Sequence, residues 1–173
     1  MRRVVGALNR SELRYALTGG VAASYYGRPR TTLDVDVLIV TKESELTRLA
    51  KSLTDEDIKA GTRELSHAWK SRYRIATVLD SKSPYRLDII FTDRGLERKA
   101  GSILGAHTYY QTVESLILSK LRMIKATLQS ERAATDRQDI KAILEAAHVN
   151  LVSVRRRARA QGTLELLDEL THD

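Results

Sequence analysis

Read as a pattern of apolar and polar positions, the chain changes period part-way along. Near the start, "VVGALNRSELRYAL" predicts a short helix and then a strand at Tyr15 to Thr18. Gly19 and Gly20 predict a turn, and "VAASYYG" a short helix closed by Gly27, with Pro29 barring its continuation. "LDVDVLIVT" has the β-branched content and length of a strand. Thr41 is then expected to cap a helix over "ESELTRLAKSL", where Leu46, Leu49, Ala50 and Leu53 recur at helical spacing. Residues 54–71 are too polar to assign. "YRIATVLD" and "YRLDIIFT" predict two strands joined by an "SKSP" hairpin turn. After Gly101 the period is helical: "ESLILSKLRMIKATL", then "DRQDIKAILEAAH", then "VSVRRRARA" and "TLELLDEL", broken near Gly162. The order predicts an α/β (α+β) fold. Residues 1–100 form a small mixed sheet flanked by helices, and residues 101–173 a C-terminal helical bundle.

Composition narrows the class. The 173 residues suit one compact domain, or a catalytic lobe with a small second lobe. Hydrophobic residues at 42% and charged residues at 29% exclude a disordered chain. No apolar run is long enough for a bilayer, and "MRRVVGALNRSE" lacks the apolar core of a signal peptide, so no membrane partner and a cytoplasmic location are expected. The absence of cysteine excludes disulfides and thiolate metal sites. A net charge of +7 suits polyanionic partners such as nucleotide phosphates or RNA, and equally a merely soluble basic protein.

The feature that composition does not explain is the pair Asp34 and Asp36. Strand side chains alternate between faces, so the two carboxylates point one way and Val35 and Val37 the other. Like charges side by side repel and are costly to bury without a cation between them. Hard carboxylate oxygens suit Mg2+ or Mn2+. Asp88 interrupts a second apolar run, Leu87, Ile89, Ile90 and Phe91. If its strand lies beside that of Asp34 and Asp36, three carboxylates converge on a divalent-metal site. The alternative is that Asp34 merely ends a turn and Asp88 sits on a solvated face.

Upstream, Gly19 and Gly20 sit between a predicted strand and a predicted helix, where backbone N–H groups and the helix dipole can seat a phosphate. Arg30 has the forked geometry for phosphate oxygens. Thr32 supports the loop or contacts a phosphate, and Arg28 is a solvated loop residue or a further contact.

Strand, Gly-Gly, helix, then "RTTLDVD" and a later "RLDII" resemble the DNA polymerase β-like nucleotidyltransferase superfamily, and within it the minimal, AbiEii-like branch. The likeness covers roughly the first hundred residues. It implies a small mixed-sheet nucleotidyltransferase core, with Asp34, Asp36 and Asp88 as catalytic metal ligands. It implies nucleotide contacts from Gly19, Gly20, Arg30 and Thr32. Many members carry serine where this chain has Gly20, which leaves backbone groups and Ser24 for the phosphates. "VESLILSKLRMIKATLQSERAATDRQDIKAIL" also resembles the AbiEii-like pattern, and matches Lys120, Arg132, Asp136 and Asp139 to its lysine, arginine and acids. Lys120 and Asp139 are thereby implied near the nucleotide.

Each has a structural alternative. Thr135 with Gln138 fits a capping box that makes Asp136 a first-turn acid. If the Lys120 ammonium meets the triphosphate, Lys120→Met is expected to hold or improve stability, whereas a lysine in so apolar a helix can instead snorkel to water. Arg155, Arg156, Arg157 and Arg159 form an RNA edge or a solvated surface. Tyr109 and Tyr110 stack on a base or staple the core. His67, His107, His148 and His172 are scattered and carry no metal role. The function implied is metal-dependent transfer of an NMP from an NTP to an acceptor hydroxyl on tRNA or protein, with a toxin paired with an antitoxin as one setting. The alternatives are a small-molecule, antibiotic-type acceptor, or a non-catalytic module that binds nucleotide or RNA.

Overall fold

The computed structural model describes residues 1–93, 95–127 and 130–171. The chain divides into two compact units, Met1–Thr18 with Thr32–Gln111, and Gly19–Thr31 with Thr112–Asp173. Among the described residues, no helix is long and apolar enough to cross a membrane.

The first unit holds a seven-stranded mixed sheet. Its strands are β1 (Arg14–Leu17), β2 (Asp34–Val40), β3 (Ile58–Lys59), β4 (Ile75–Asp80), β5 (Arg86–Thr92), β6 (Arg98–Ile103) and β7 (Ala106–Gln111), in the order β3-β4-β5-β2-β1-β7-β6. The central pair β2 and β5 is parallel, as is β1 with β7, and the other pairs are antiparallel. Val35, Val37 and Ile39 of β2 and Leu87, Ile89 and Phe91 of β5 are buried on one side, so period-two alternation fixes which face their intervening residues take. The helices of this unit are α1 (Arg2–Arg10), α3 (Leu46–Thr54) and α4 (Thr62–Lys70). Arg3 Nη2 of α1 donates to both carboxylate oxygens of Asp80 at the end of β4, at 2.6 and 2.7 Å.

The second unit is helical: α2 (Gly19–Tyr26), α5 (Val113–Ala126), α6 (Glu131–Ala146), α7 (Leu151–Ala160) and α8 (Leu164–Thr171). Its apolar interior includes Leu116, Ile117, Leu121 and Ile124 of α5, Ile140 and Ile143 of α6, Val154 of α7, and Leu167 of α8.

The mixed sheet, its helices and the helical bundle match the expected class, and four local readings are corrected. The chain is not helical directly after Gly101, because β6 and β7 form a hairpin there. β6 is an edge strand with no buried residue, so it shows no apolar alternation. Thr41 does not cap a helix. It donates to the Lys42 carbonyl, and a 3₁₀ turn over Glu43–Glu45 leads into α3. The expected capping box at Thr135 and Gln138 lies inside α6, whose start is capped by Ser130 Oγ accepting from Ala133 N–H at 3.1 Å. Gly19 and Gly20 open α2 rather than forming a separate turn. Residues 54–71, unassigned from sequence, contain β3 and α4. Leu128 and His172 lie outside the described residues.

Gly27 ends α2 against α6, where an added Cβ would stand 3.0 Å from the Ile143 nitrogen and 3.1 Å from the Ala142 carbonyl carbon. Those atoms are helix backbone and cannot swing aside. Gly27→Ala is therefore expected to cost about 1–3 kcal/mol, as overpacking does. Urea denaturation measures this, and an unchanged midpoint would show that α2 and α6 separate freely.

Candidate functional site

Asp34, Asp36 and Asp88 come together within the first unit. In the parallel register of β2 and β5, Asp34 pairs with Arg86 and Asp36 with Asp88. All four project from the face opposite Val35, Val37 and Leu87. The Arg86 guanidinium lies 3.1 Å from Asp34 and 3.5 Å from Asp88. Thr77 of β4, directly opposite Asp88, donates to its Oδ1 at 2.6 Å. Thr32 Oγ1 donates to the Asp34 carbonyl at 3.1 Å and accepts from the Asp34 N–H at 3.3 Å, so it fixes the entry of β2. The Asp36 carbonyl accepts from the Thr18 N–H.

Among the described residues, no group of three or more His, Cys, Asp or Glu forms a ready-made metal cage. The acidic side chains of the β2–β5 face are nonetheless of the hard-oxygen type that suits a divalent cation. They present carboxylate oxygens on one face of adjacent strands, and their charge already draws in a cation, Arg86.

Gly19, Gly20, Ser24, Arg30, Lys120 and Asp139 belong to the second unit. Lys120 is 4% exposed and does not snorkel to water. Its Nζ donates to Asp136 at 2.6 Å and to Asp139 at 2.8 Å, and both acids are buried. Asp136 is thus a buried ion partner, not a first-turn acid. The Arg30 fork faces Asp139, with Nε at 2.9 Å and Nη2 at 3.0 Å. An added Cβ at Gly20 would meet Arg30 Nη2 at 2.9 Å, so the missing side chain leaves room for the guanidinium. Ser24 Oγ donates to the Gly20 carbonyl at 3.0 Å and accepts from the Arg30 N–H at 3.3 Å. Burial pushes the Asp139 carboxyl up, but hydrogen bonds and charge from Arg30 and Lys120 outweigh it and hold the pKa below 3.8.

The other candidates are dispersed. Arg28 makes an exposed pair with Glu145, and Arg132 lies on the exposed side of α6. Arg155 pairs with Asp168, and Arg157 donates to Ser115, while Arg156 and Arg159 of that run are exposed to solvent. Tyr110 is buried and donates to the Ser102 carbonyl, while Tyr109 lies under the Arg98 guanidinium at 3.7 Å. Sequence reasoning missed Arg86 and Thr77. The i−2 spacing of Arg86 from Asp88 was a readable signal, whereas Thr77 required the pairing of β4 with β5.

No family model matches the chain, and no curated protein matches it in sequence. Solved structures do match in fold. The antibiotic-resistance factor ANT(2'')-Ia in solution has a TM-score of 0.63 at 14% identity, covering 99% of this chain and 94% of that one. Its crystal structure in complex with adenylyl-2"-tobramycin has a TM-score of 0.63 at 11% identity, covering 92% and 95%. An antigenic nucleotidyltransferase-like protein from Paracoccidioides brasiliensis has a TM-score of 0.58 at 16% identity, covering 94% and 91%. The chain therefore has the nucleotidyltransferase fold.

The Lys120 cluster reverses the expected effect of Lys120→Met. Removing the ammonium leaves Asp136 and Asp139 buried with their charge under-compensated, which costs about 3–5 kcal/mol. The folded-state pKa of Asp139 is depressed. Its stabilisation is therefore full above the ordinary value of 3.8 and is lost as pH falls through the folded value. The difference between wild type and Lys120→Met should be largest near neutrality and shrink below pH 3.8. Denaturation at both pH values checks this, and a mutant as stable as wild type at pH 7 would contradict the buried pairing.

Proposed function

We propose that this chain is a metal-dependent nucleotidyltransferase that moves an NMP from an NTP to an acceptor hydroxyl. The observation that carries the reading is the register of Asp36 beside Asp88 on two parallel strands, with Asp34 on the same face. A non-catalytic module would be favoured if Asp88 stood apart from that pair. Asp34, Asp36 and Asp88 would hold Mg2+ or Mn2+. A divalent cation bound there supplies activation of a hydroxyl near neutral pH and neutralises charge on phosphate oxygens. The acceptor oxygen attacks the α-phosphorus in line, the bond to the bridging oxygen breaks, and pyrophosphate leaves. Thr77 fixes Asp88 Oδ1, so the chain presents that carboxylate in one orientation.

The nucleotide contacts proposed are the N-terminus of α2 at Gly19 and Gly20, with Ser24, Arg30, Thr32, Lys120 and Asp139 as the remaining candidates. Arg30 and Lys120 are already paired with acids. Their contribution is therefore to hold the loop that follows α2, with phosphate contact secondary.

The acceptor we favour is a tRNA or protein hydroxyl, in keeping with the AbiEii-like resemblance, a toxin role and an antitoxin partner. An antibiotic-type acceptor is the second reading, because ANT(2'')-Ia was solved with adenylyl-2"-tobramycin. A polycationic acceptor calls for acids around it, yet the solvent side of β4 beside Asp88 carries Ile75, Thr77 and Leu79.

The test is incubation of the full chain with each NTP and Mg2+ in the presence of tRNA, total protein or an aminoglycoside, followed by mass spectrometry. The expected product is an NMP adduct on tRNA or protein. Asp36→Asn should remove it on the order of a thousand-fold or more, since metal activation contributes several kcal/mol. Turnover retained in a folded Asp36→Asn protein would overturn the assignment.

A further inference from the structure

Register places Arg86 at the fourth corner of a square whose other corners are Asp34, Asp36 and Asp88. Its Nη2 lies 3.1 Å from Asp34 Oδ2 and 3.5 Å from Asp88 Oδ2, so one guanidinium spans two of the three carboxylates. The strand alternation that aligns Asp88 with Asp36 also brings Arg86 to the same face. Both Arg86 and Asp34 are about half exposed, at 49% and 48%. The Arg86–Asp34 contact, that open, contributes little to the fold and is easily parted, while Asp88 on the other side of the guanidinium is 18% exposed.

We propose that Arg86 is the resident counter-cation of the carboxylate face and that a divalent cation must displace it to bind. This rests on the metal reading above. Displacement has two consequences. The metal alone binds weakly, because it must first replace an internal cation. Phosphate oxygens that arrive with the metal supply ligands to it and an alternative anion for the released guanidinium. Metal and triphosphate therefore bind with positive coupling, and Arg86 sets its size.

The experiment is a Mn2+ titration of the full chain, read by the EPR signal of free Mn2+, with and without inorganic triphosphate. Four variants are compared with wild type. Arg86→Met keeps the apolar stem and removes the charge, while Arg86→Lys keeps the charge. Lys82→Met removes a cation that pairs with Asp57, and Asp36→Asn removes a proposed ligand. Arg86→Met should bind Mn2+ up to about five-fold tighter, the range of a half-exposed ion pair. Arg86→Lys should stay within about two-fold of wild type. Triphosphate should enhance Mn2+ binding more in wild type than in Arg86→Met.

An affinity in Arg86→Met equal to or below wild type overturns the proposal while leaving the metal reading intact. The proposal fails equally if Lys82→Met tightens binding as much as Arg86→Met, because long-range charge then accounts for the effect. Absence of Mn2+ binding in wild type and Asp36→Asn alike removes the metal reading and this inference with it. Melting temperatures confirm that each variant is folded.

Discussion

Three like charges on one face of a sheet are the constraint around which the first unit is arranged. Asp34, Asp36 and Asp88 are carried by adjacent parallel strands, where repulsion would part them if nothing held the strands. The holding force lies on the other face. Val35, Val37, Leu87 and Ile89 are each nearly or wholly excluded from water, and a one-residue slip would exchange them with the acids. The register that buries the valines and isoleucine is thus the register that assembles the carboxylates. Arg86 and Thr77 then moderate the charge from the same face, one as a counter-ion and one as a hydrogen-bond donor.

The second unit handles charge by the opposite strategy. Lys120, Asp136 and Asp139 are buried and paired, with Arg30 forked onto Asp139. A buried network of this kind adds little net stability over an apolar replacement, but losing one member is costly. Its effect here is to tie the loop after α2 to α5 and α6 through the contacts of Arg30, Lys120, Asp136 and Asp139. Gly20 takes part by what it lacks, since a side chain there would meet the Arg30 guanidinium. The carboxylate face is open to solvent, with Asp34 and Arg86 about half exposed, whereas the Lys120 cluster is closed. This contrast is why the catalytic assignment goes to the sheet and the positioning role to the helices.

Much of this was legible in the sequence because it rests on local periodicity. The i, i+2 spacing of Asp34 and Asp36 fixes their shared face in any strand, and the apolar neighbours fix which face is buried. The adjacency of Asp88 was an inference about pairing, and the structure supplies the register. The hairpin β6–β7 was invisible because an edge strand with Arg98, Lys99 and Gly101 buries nothing that alternates. The start of α6 was misplaced because Thr135 and Gln138 imitate a cap, while the working cap is Ser130. Lys120 was ambiguous because a lysine in an apolar helix has two outcomes, water or a buried acid. Only the packing of α6 places Asp136 and Asp139 within its reach.

The central claim is that Asp34, Asp36 and Asp88 act as one divalent-cation site. The most direct measurement is paramagnetic broadening of backbone amide signals by substoichiometric Mn2+ in an isotope-labelled sample of the full chain, with inorganic triphosphate present. The account predicts that signals from Asp34 to Val37 and from Leu87 to Ile89 broaden first and together. Broadening centred on other acids, such as the exposed pairs at Asp57 or Glu145, with β2 and β5 unaffected, would contradict it.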